Sequence, residues 1–530
     1  MTHTHTCLAA ALLLALSPAA LAAKLALVGG TLVDGTLAEP IRDSVIIVDG
    51  ERIVAVGTVA SLPVPADAEV VSTEGMTVMP GLWDMHVHLM INGHADYAYW
   101  DKKYLPQLRE VIMPASAEQL LMAGITSARD LGAPLDDSIA VRDAINAGKI
   151  PGPTMYMSGP FIQKKPYPGT EAFRWGVDSP ADARAKVRRL AEAGVDVIKL
   201  IDQDQMSEAE IAAIVDEAHK HDLPVIAHAH RPEEVRRGLR HGVDGFEHTG
   251  FAAAPEFPKD VMDALAERTA NMSAGPLFWT PTIEGLFNFP YTVRNNEFID
   301  SDSWHRGLPP EIVEDIRGSL EHPERISYFQ QTPQRQPTLR RKFDQLRQSG
   351  VVLLVGTDSG IPMKFHSQST WNELDVWVNQ FGVPAIDAIR AATYWPAVAM
   401  GVDKDYGTVT EGKYADIIAV KGDVPPCVFK LLCIAFESFV RIQQINSCQG
   451  EITYKKLVAR IYMLLRHDYR QKMLQRILLA TAKDLDASTM HIAEDWRVRW
   501  TTFANISIWF DNWEFDLVEL GFAMRDANTV

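Results

Sequence analysis

Residues 80–88 read PGLWDMHVH, and the rest of the chain is best read outward from this stretch. A Pro80-Gly81 pair opens an apolar run that carries His86 and His88 at alternate positions, and alternate residues of a strand point to the same side. Histidine pairs with this spacing are weak evidence alone, because 16 histidines in 530 residues give about half such a pair by chance. The chain holds three others. His3/His5 falls in the N-terminal apolar leader, His219/His221 ends a polar helix face and reads as solvated surface, and His228/His230 closes a second apolar run.

What lends weight to His86 and His88 is the pattern around them. From Pro80 onward apolar strands alternate with amphipathic helices, which predicts parallel βαβ units. Strands are predicted over 78–88, 124–131, 153–158, 196–201, 224–230, 245–249, 279–284 and 351–358. The intervening helices are clear in SPADARAKVRRLAEAG (179–194) and SEAEIAAIVDEAHKHD (207–222), each opening at a Ser cap. Eight such units predict a (β/α)8 TIM-type barrel, whose functional face lies at the C-terminal ends of the strands. An open doubly wound sheet fits less well, since no glycine-rich phosphate loop follows any strand.

Those ends collect metal-competent groups. Lys199 ends strand four in DVIKLI, His228 strand five in PVIAHAH, His248 strand six in GFEHTG, and Asp358 strand eight in LLVGTDSG. With His86 and His88 this makes six ligand-type residues at five strand ends, too many to assign to packing. An ammonium among the apolar neighbours of Lys199 is costly unless something compensates it.

Flanking the barrel, 24–79 and 403–426 alternate apolar and polar residues and predict a small β-sandwich built from both ends of this segment. Composition is that of a globular chain, 47% apolar and 22% charged. The net charge of −17 disfavours nucleic acid or an anionic membrane as partner, and a small-molecule substrate is expected; a homo-oligomer is compatible with the sequence. Leu8–Leu21 with small residues at Ala20, Ala22 and Ala23 reads as a secretory signal peptide over 1–23, so a secreted or periplasmic location is expected. After Cys7, the cysteines are Cys427, Cys433 and Cys448, and none lies between Lys24 and Pro426.

The order His86-x-His88, Lys199, His228, His248, Asp358, together with GLWDMHVH, GVDVIKL, GVDGFEHTG and GTDSG, resembles the amidohydrolase superfamily, in particular its imidazolonepropionase-like and prolidase-like secreted branch, over about 24–424. The resemblance implies two divalent metal ions, zinc by family habit, bridged by a CO2-carboxylated Lys199. His86, His88 and Asp358 would hold one ion, and His228 and His248 the other. The chemistry fits these residue types: neutral imidazoles and carboxylates suit Zn²⁺, and Asp358 can take a proton from the attacking hydroxide and deliver it to the leaving nitrogen. The expected activity is hydrolysis of a C–N bond in a dipeptide or N-acyl amino acid. The alternatives are a mononuclear cyclic-amidine or imidazolone hydrolase or deaminase, and a barrel impaired or reduced to binding by its C-terminus.

His230 lies two residues beyond His228, where prolidase-like relatives often carry a tyrosine that contacts the scissile carbonyl; it is read as a catalytic or hydrogen-bonding residue. In the loop after strand three, Lys164, Lys165 and Arg174, with Arg231 after strand five, are candidates for binding a substrate carboxylate. Two aromatic-rich insertions, HADYAYWDKKYLPQL after strand one and a long segment with Phe287, Phe289, Tyr291, Trp304, Tyr328 and Phe329 between strands seven and eight, suggest an apolar substrate side chain or a helical lid with its own core. From 427 to 530 strand patterning gives way to helical periodicity, and the sandwich hairpin that relatives carry is expected to be missing. This tail resembles the helical region of transposase-like reading frames. Its 13 basic and 12 acidic residues leave +1, too little for phosphate neutralisation through Lys455, Lys456, Arg460, Arg466 and Arg470, and a fused segment without function here is the simpler reading.

Overall fold

The structure is a computed structural model and describes residues 24–249, 254–287, 299, 301–422 and 439–442. Residues 1–23 and the remainder of the tail lie outside the described residues, and with them the signal-peptide and DNA-contact expectations. Among the described residues no helix is long and apolar enough to cross a membrane.

The chain begins with β1 (Leu25–Val28), β2 (Thr31–Leu32), β3 (Ser44–Asp49), β4 (Arg52–Thr58), β5 (Glu69–Ser72) and β6 (Met76–Pro80). One sheet runs β4-β3-β1-β5, while β2 and β6 belong to a second. Pairing here is mixed. β3 is antiparallel to β1 and β4, whereas β1–β5 and β2–β6 are parallel, because the chain crosses over after the β3–β4 hairpin.

The barrel follows. Its strands are β7 (Leu82–Val87), β8 (Ile125–Asp130), β9 (Thr154–Met157), then, after a loop that forms β10 (Phe161–Gln163) and β11 (Arg174–Gly176), β12 (Ile198–Leu200), β13 (Val225–His228), β14 (Gly245–Glu247), β15 (Phe278–Thr280) and β16 (Val352–Leu353). β7-β8-β9 and β12 through β16 pair in parallel. The seams are closed by backbone hydrogen bonds from Asp196 N to Met157 O at 2.8 Å and from Met85 N to Val355 O at 3.0 Å, with a parallel bridge between Val87 and Ser359. These strands read as apolar runs because both faces are covered, with side chains such as Leu131, Val197 and Ile226 packing together. The run 78–88 is divided at Gly81, where a Cβ would lie 2.0 Å from Thr126 Oγ1, so its first half joins the small sheet and its second half the barrel.

The helices begin as their caps dictate. Ser179 accepts from Asp182 N at the start of Pro180–Ala193, which ends at Gly194 with φ +78°; a Ser207/Glu210 capping box opens Glu208–Lys220.

Beyond the barrel, β17 (Ile417–Lys421) lies antiparallel to β6, with Ile417 opposite Pro80. Leu27, Leu32, Ile46 and Val78 from one end pack with Val409, Ile417 and Ala419 from the other, so both ends build the sandwich. A further strand, β18 (Phe439–Ile442), pairs antiparallel with β17. The tail was expected to leave this edge bare and to be helical; Phe439–Ile442 supplies an edge strand instead.

The insertions pack into the main core, where Trp100, Trp304 and Ile312 join Leu82, Ile125 and Ala128 of the barrel. Trp304 stacks on Phe365 at 4.7 Å and donates to Ile299 O; Trp100 donates to Met90 O; Phe287 meets Phe381 edge-on at 5.5 Å. These rings therefore pack within the fold, while Phe289 and Tyr291 lie outside the described residues. Asp315 pins the two insertions together, accepting from Tyr104 Oη at 2.6 Å and Lys103 Nζ at 3.0 Å.

Candidate metal centre at the barrel mouth

The C-terminal strand ends bring His86, His88, Lys199, His228, His230, His248 and Asp358 into one buried neighbourhood. His86 and His88 leave β7 on the same face, with Nε2 atoms 3.3 Å apart. Asp358 Oδ1 lies 3.0 Å from His88 Nε2 and 3.4 Å from His86 Nε2. Ligand atoms about 2 Å from a tetrahedral zinc sit roughly 3.3 Å from one another, so this trio fits such an ion. One ligand atom each from His86, His248 and Asp358 also lies within 4.8 Å of the others, as do those of His228, His230 and His248. His248 thus stands between the two groups, with its ring 4.7 Å from His86 and 4.5 Å from both His228 and His230.

Backbone strain puts two of these side chains in place. Asp358 and His248 have φ of +63° and +76°, conformations that non-glycine residues hold only when their surroundings enforce them. The reversal at His248 breaks strand alternation, so Glu247 and His248 both reach His86, one by a hydrogen bond and the other by ring contact.

The electrostatics favour neutral imidazoles. Burial holds His86, His228 and His230 well below the ordinary histidine pKa, and the nearby Lys199 charge adds to this; for His248 burial is followed by the neighbouring His230 and His86. Lys199 is fully buried, its Nζ has no hydrogen-bond partner, and burial brings its pKa down to about 8. His228 Nδ1 likewise has no hydrogen-bond partner. A buried unpartnered amine among neutral imidazoles and a carboxylate suits bound cations, to which the amine could contribute only in a modified, anionic form.

Around this set lies a shell that sequence spacing did not single out. Glu247 Oε2 takes the His86 Nδ1–H at 2.7 Å and is paired through Oε1 with Arg129 at 2.7 Å. His86 Nε2 is thereby left with its lone pair facing the site. His248 Nδ1 bonds Thr282 Oγ1 at 2.8 Å. Asp84 accepts from His86 N, Thr357 N, Thr357 Oγ1 and Thr370 Oγ1, joining the first barrel strand to the last; burial raises its pKa to about 6. Asp84, two residues before His86, had a signal in its strand position; Arg129 and Glu247 had none.

The proposed substrate cations divide. Arg174 donates to Gln163 Oε1 at 3.1 Å and lies against the Phe161 and Tyr167 rings at 4.9 Å, with Phe161 in turn 5.7 Å from the His88 ring. Its charge is one of those that lower the His228 pKa. Arg231 is otherwise engaged: it binds Asp202, both oxygens of Asp204 and Glu234, all between 2.6 and 2.8 Å. The same pairing answers for the carboxylate cluster Asp202, Asp204 and Glu234. Lys164 is held by Glu210 at 2.7 Å and Val177 O at 3.0 Å. Arg231 and Lys164 thus each have charged partners within the fold, and Lys165 is exposed.

A family model described as the amidohydrolase family matches residues 77–273 and 330–449. The chain belongs to this family. Among curated proteins, the ochratoxinase of Aspergillus niger is 25% identical over 444 residues, 74% of this chain and 80% of that protein. Among solved structures, a prolidase candidate from Bifidobacterium longum has a TM-score of 0.59 at 26% identity, covering 83% of this chain and 99% of its own. An Xaa-Pro dipeptidase with bound methionine in its active site, at 23% identity and TM-score 0.59 over 79% of this chain and 98% of its own, shares the fold. This amidohydrolase is a hydrolase acting on carbon–nitrogen bonds, and its family generally uses metal ions.

Proposed function

We propose that this amidohydrolase is an exported, binuclear metal-dependent enzyme that cleaves the C–N bond of a small amide bearing a carboxylate, an N-acyl amino acid or a dipeptide. The observation that carries the reading is Lys199: a fully buried, unpartnered amine among four neutral histidines and Asp358. With a pKa near 8 its neutral form is accessible, and a neutral desolvated amine can take up CO2 to become an anionic bridge. His86, His88 and Asp358 would hold one divalent ion, zinc in this reading, and His228 and His248 the other. Such ions polarise a scissile carbonyl and make a bound water acidic enough to attack near neutral pH.

The chain's own groups do the rest. Asp358, 3.0 Å from His88, would accept the water's proton and return it to the leaving nitrogen. His230, beside His228 and His248, would hydrogen-bond the carbonyl oxygen, and Arg174 on its aromatic bed would take the substrate carboxylate. The Aspergillus niger ochratoxinase and the Xaa-Pro dipeptidase support this substrate class by their names. Residues 1–23 support export by their signal-like pattern.

Metal content per chain, measured by mass spectrometry on protein purified with zinc and bicarbonate, tests the reading. Wild type should carry two metals and Lys199→Ala one or fewer, with loss of hydrolysis of N-acyl amino acids and Xaa-Pro dipeptides. One metal in both proteins would overturn the bridged site and favour a mononuclear deaminase or cyclic-amidine hydrolase.

A further inference from the structure

Behind the candidate ligands lies a buried ion pair that the proposed chemistry does not use. Lys364 and Glu284 have side chains 3% and 2% exposed, and Lys364 Nζ lies 3.3 Å from Glu284 Oε1. The same ammonium donates to the carbonyl oxygen of Thr357. That carbonyl belongs to the peptide bond immediately before Asp358, whose φ is +63°.

The other partner reaches His248. Glu284 stands two residues after Thr282, which has φ +51° and whose Oγ1 is 2.8 Å from His248 Nδ1. Its backbone is itself held, since Glu373 accepts from Ile283 N at 2.9 Å and Glu284 N at 2.8 Å. On the Lys364 side, Gly360 N donates to Lys364 O at 2.7 Å, closing a turn that packs on the strand-one end. A Cβ at Gly360 would lie 2.5 Å from His88 O. One ion pair therefore ties the segment carrying Asp358 to the segment that orients His248.

Stability alone is a poor reason for such a pair. Removing two charges from water costs about what their attraction returns, and well-packed apolar residues often serve as well or better. Left-handed backbone at three residues around the ligands, by contrast, persists only where surrounding contacts over-determine it. We propose that Lys364, through Glu284 and the Thr357 carbonyl, is a positioning residue that holds Asp358 and His248 in register for a metal ion. The proposal rests on the metal-centre reading above.

The test is titration of the metal-free, full-length protein with Co²⁺, following its visible absorption, for wild type, Lys364→Met, Lys364→Arg and Glu284→Gln, with circular dichroism as the check on folding. Lys364→Met should fold and bind Co²⁺ about 10- to 100-fold more weakly, the usual range for losing an outer partner of a ligand, with altered absorption bands. Lys364→Arg should recover most of the affinity. Wild-type affinity and spectrum in Lys364→Met would overturn the proposal. Should that variant not fold, Glu284→Gln is read in its place, with weakened binding supporting the pair's role and unchanged binding overturning it. Failure of wild type to bind Co²⁺ would instead overturn the metal-centre reading, and this proposal with it.

Discussion

Glu247 accepts the Nδ1–H of His86 at 2.7 Å while Arg129 neutralises its other oxygen, both side chains being within 2% of full burial. Removing the charge should have two separable effects. Glu247→Gln removes the carboxylate paired with the buried Arg129 guanidinium, leaving only the more indirect charge of Asp84, which costs about 3–5 kcal/mol of folding stability and can be read from chemical denaturation. It also weakens control of the His86 tautomer, so zinc affinity should fall about 10- to 100-fold in the protein that remains folded. At this scale the sequence was legible wherever a strand end carried a histidine, lysine or aspartate, because strand ends of a barrel converge whatever lies between them. It was not legible for Glu247, which alternation alone would turn away from His248, nor for Arg231 and Lys164, whose acidic partners come from other elements.

Among the elements, the seam between β7 and β16 leaves room only for glycine at position 356. A Cβ there would lie 2.4 Å from Thr280 Cγ2 and 2.8 Å from the backbone nitrogen of His86. Gly356→Ala should therefore destabilise the protein by about 1–3 kcal/mol, seen as a lower melting temperature, and weaken metal binding through displaced His86. The same substitution at Gly318, in the helix Pro310–Ser319 with nothing within 4 Å, should leave stability unchanged or raise it by about 0.5 kcal/mol. Opposite signs for one chemical change would show that close approach of strands, and not loss of glycine itself, governs position 356. Apolar runs bounded by turns marked all eight barrel strands in the sequence. Their lengths did not follow, since only Val352–Leu353 of the predicted 351–358 pairs as a regular strand before the chain turns toward Asp358. The aromatic insertions left a substrate contact and a helical lid both open, because large rings near a mouth and large rings in a helical cover share the same composition; the structure shows Trp304 packed on Phe365.

Across the whole molecule, buried carboxylates tie stability to pH. Glu373 is fully buried under the backbone of Ile283 and Glu284, and burial raises its pKa from 4.5 to about 7. The folded protein then holds a proton there that the unfolded chain has released, so this contribution is complete below pH 4.5 and is lost as pH rises through 7. Denaturation midpoints should accordingly show a downward component between pH 4.5 and 7 that is absent in Glu373→Gln. On the same scale the two ends of the barrel segment meet, with β17 against β6 and β18 beyond it, so the tail contributes to the sandwich edge at 439–442. By itself the sequence determined the barrel, the sandwich strands at its ends and the residue types at the mouth, because periodicity and strand-end position are local properties that the chain carries wherever it goes. Only the tertiary structure decided which charges remain for chemistry. A carboxylate or guanidinium is spent or available according to its partner, and for Glu247, Arg129, Arg231 and Lys364 that partner is supplied by the fold.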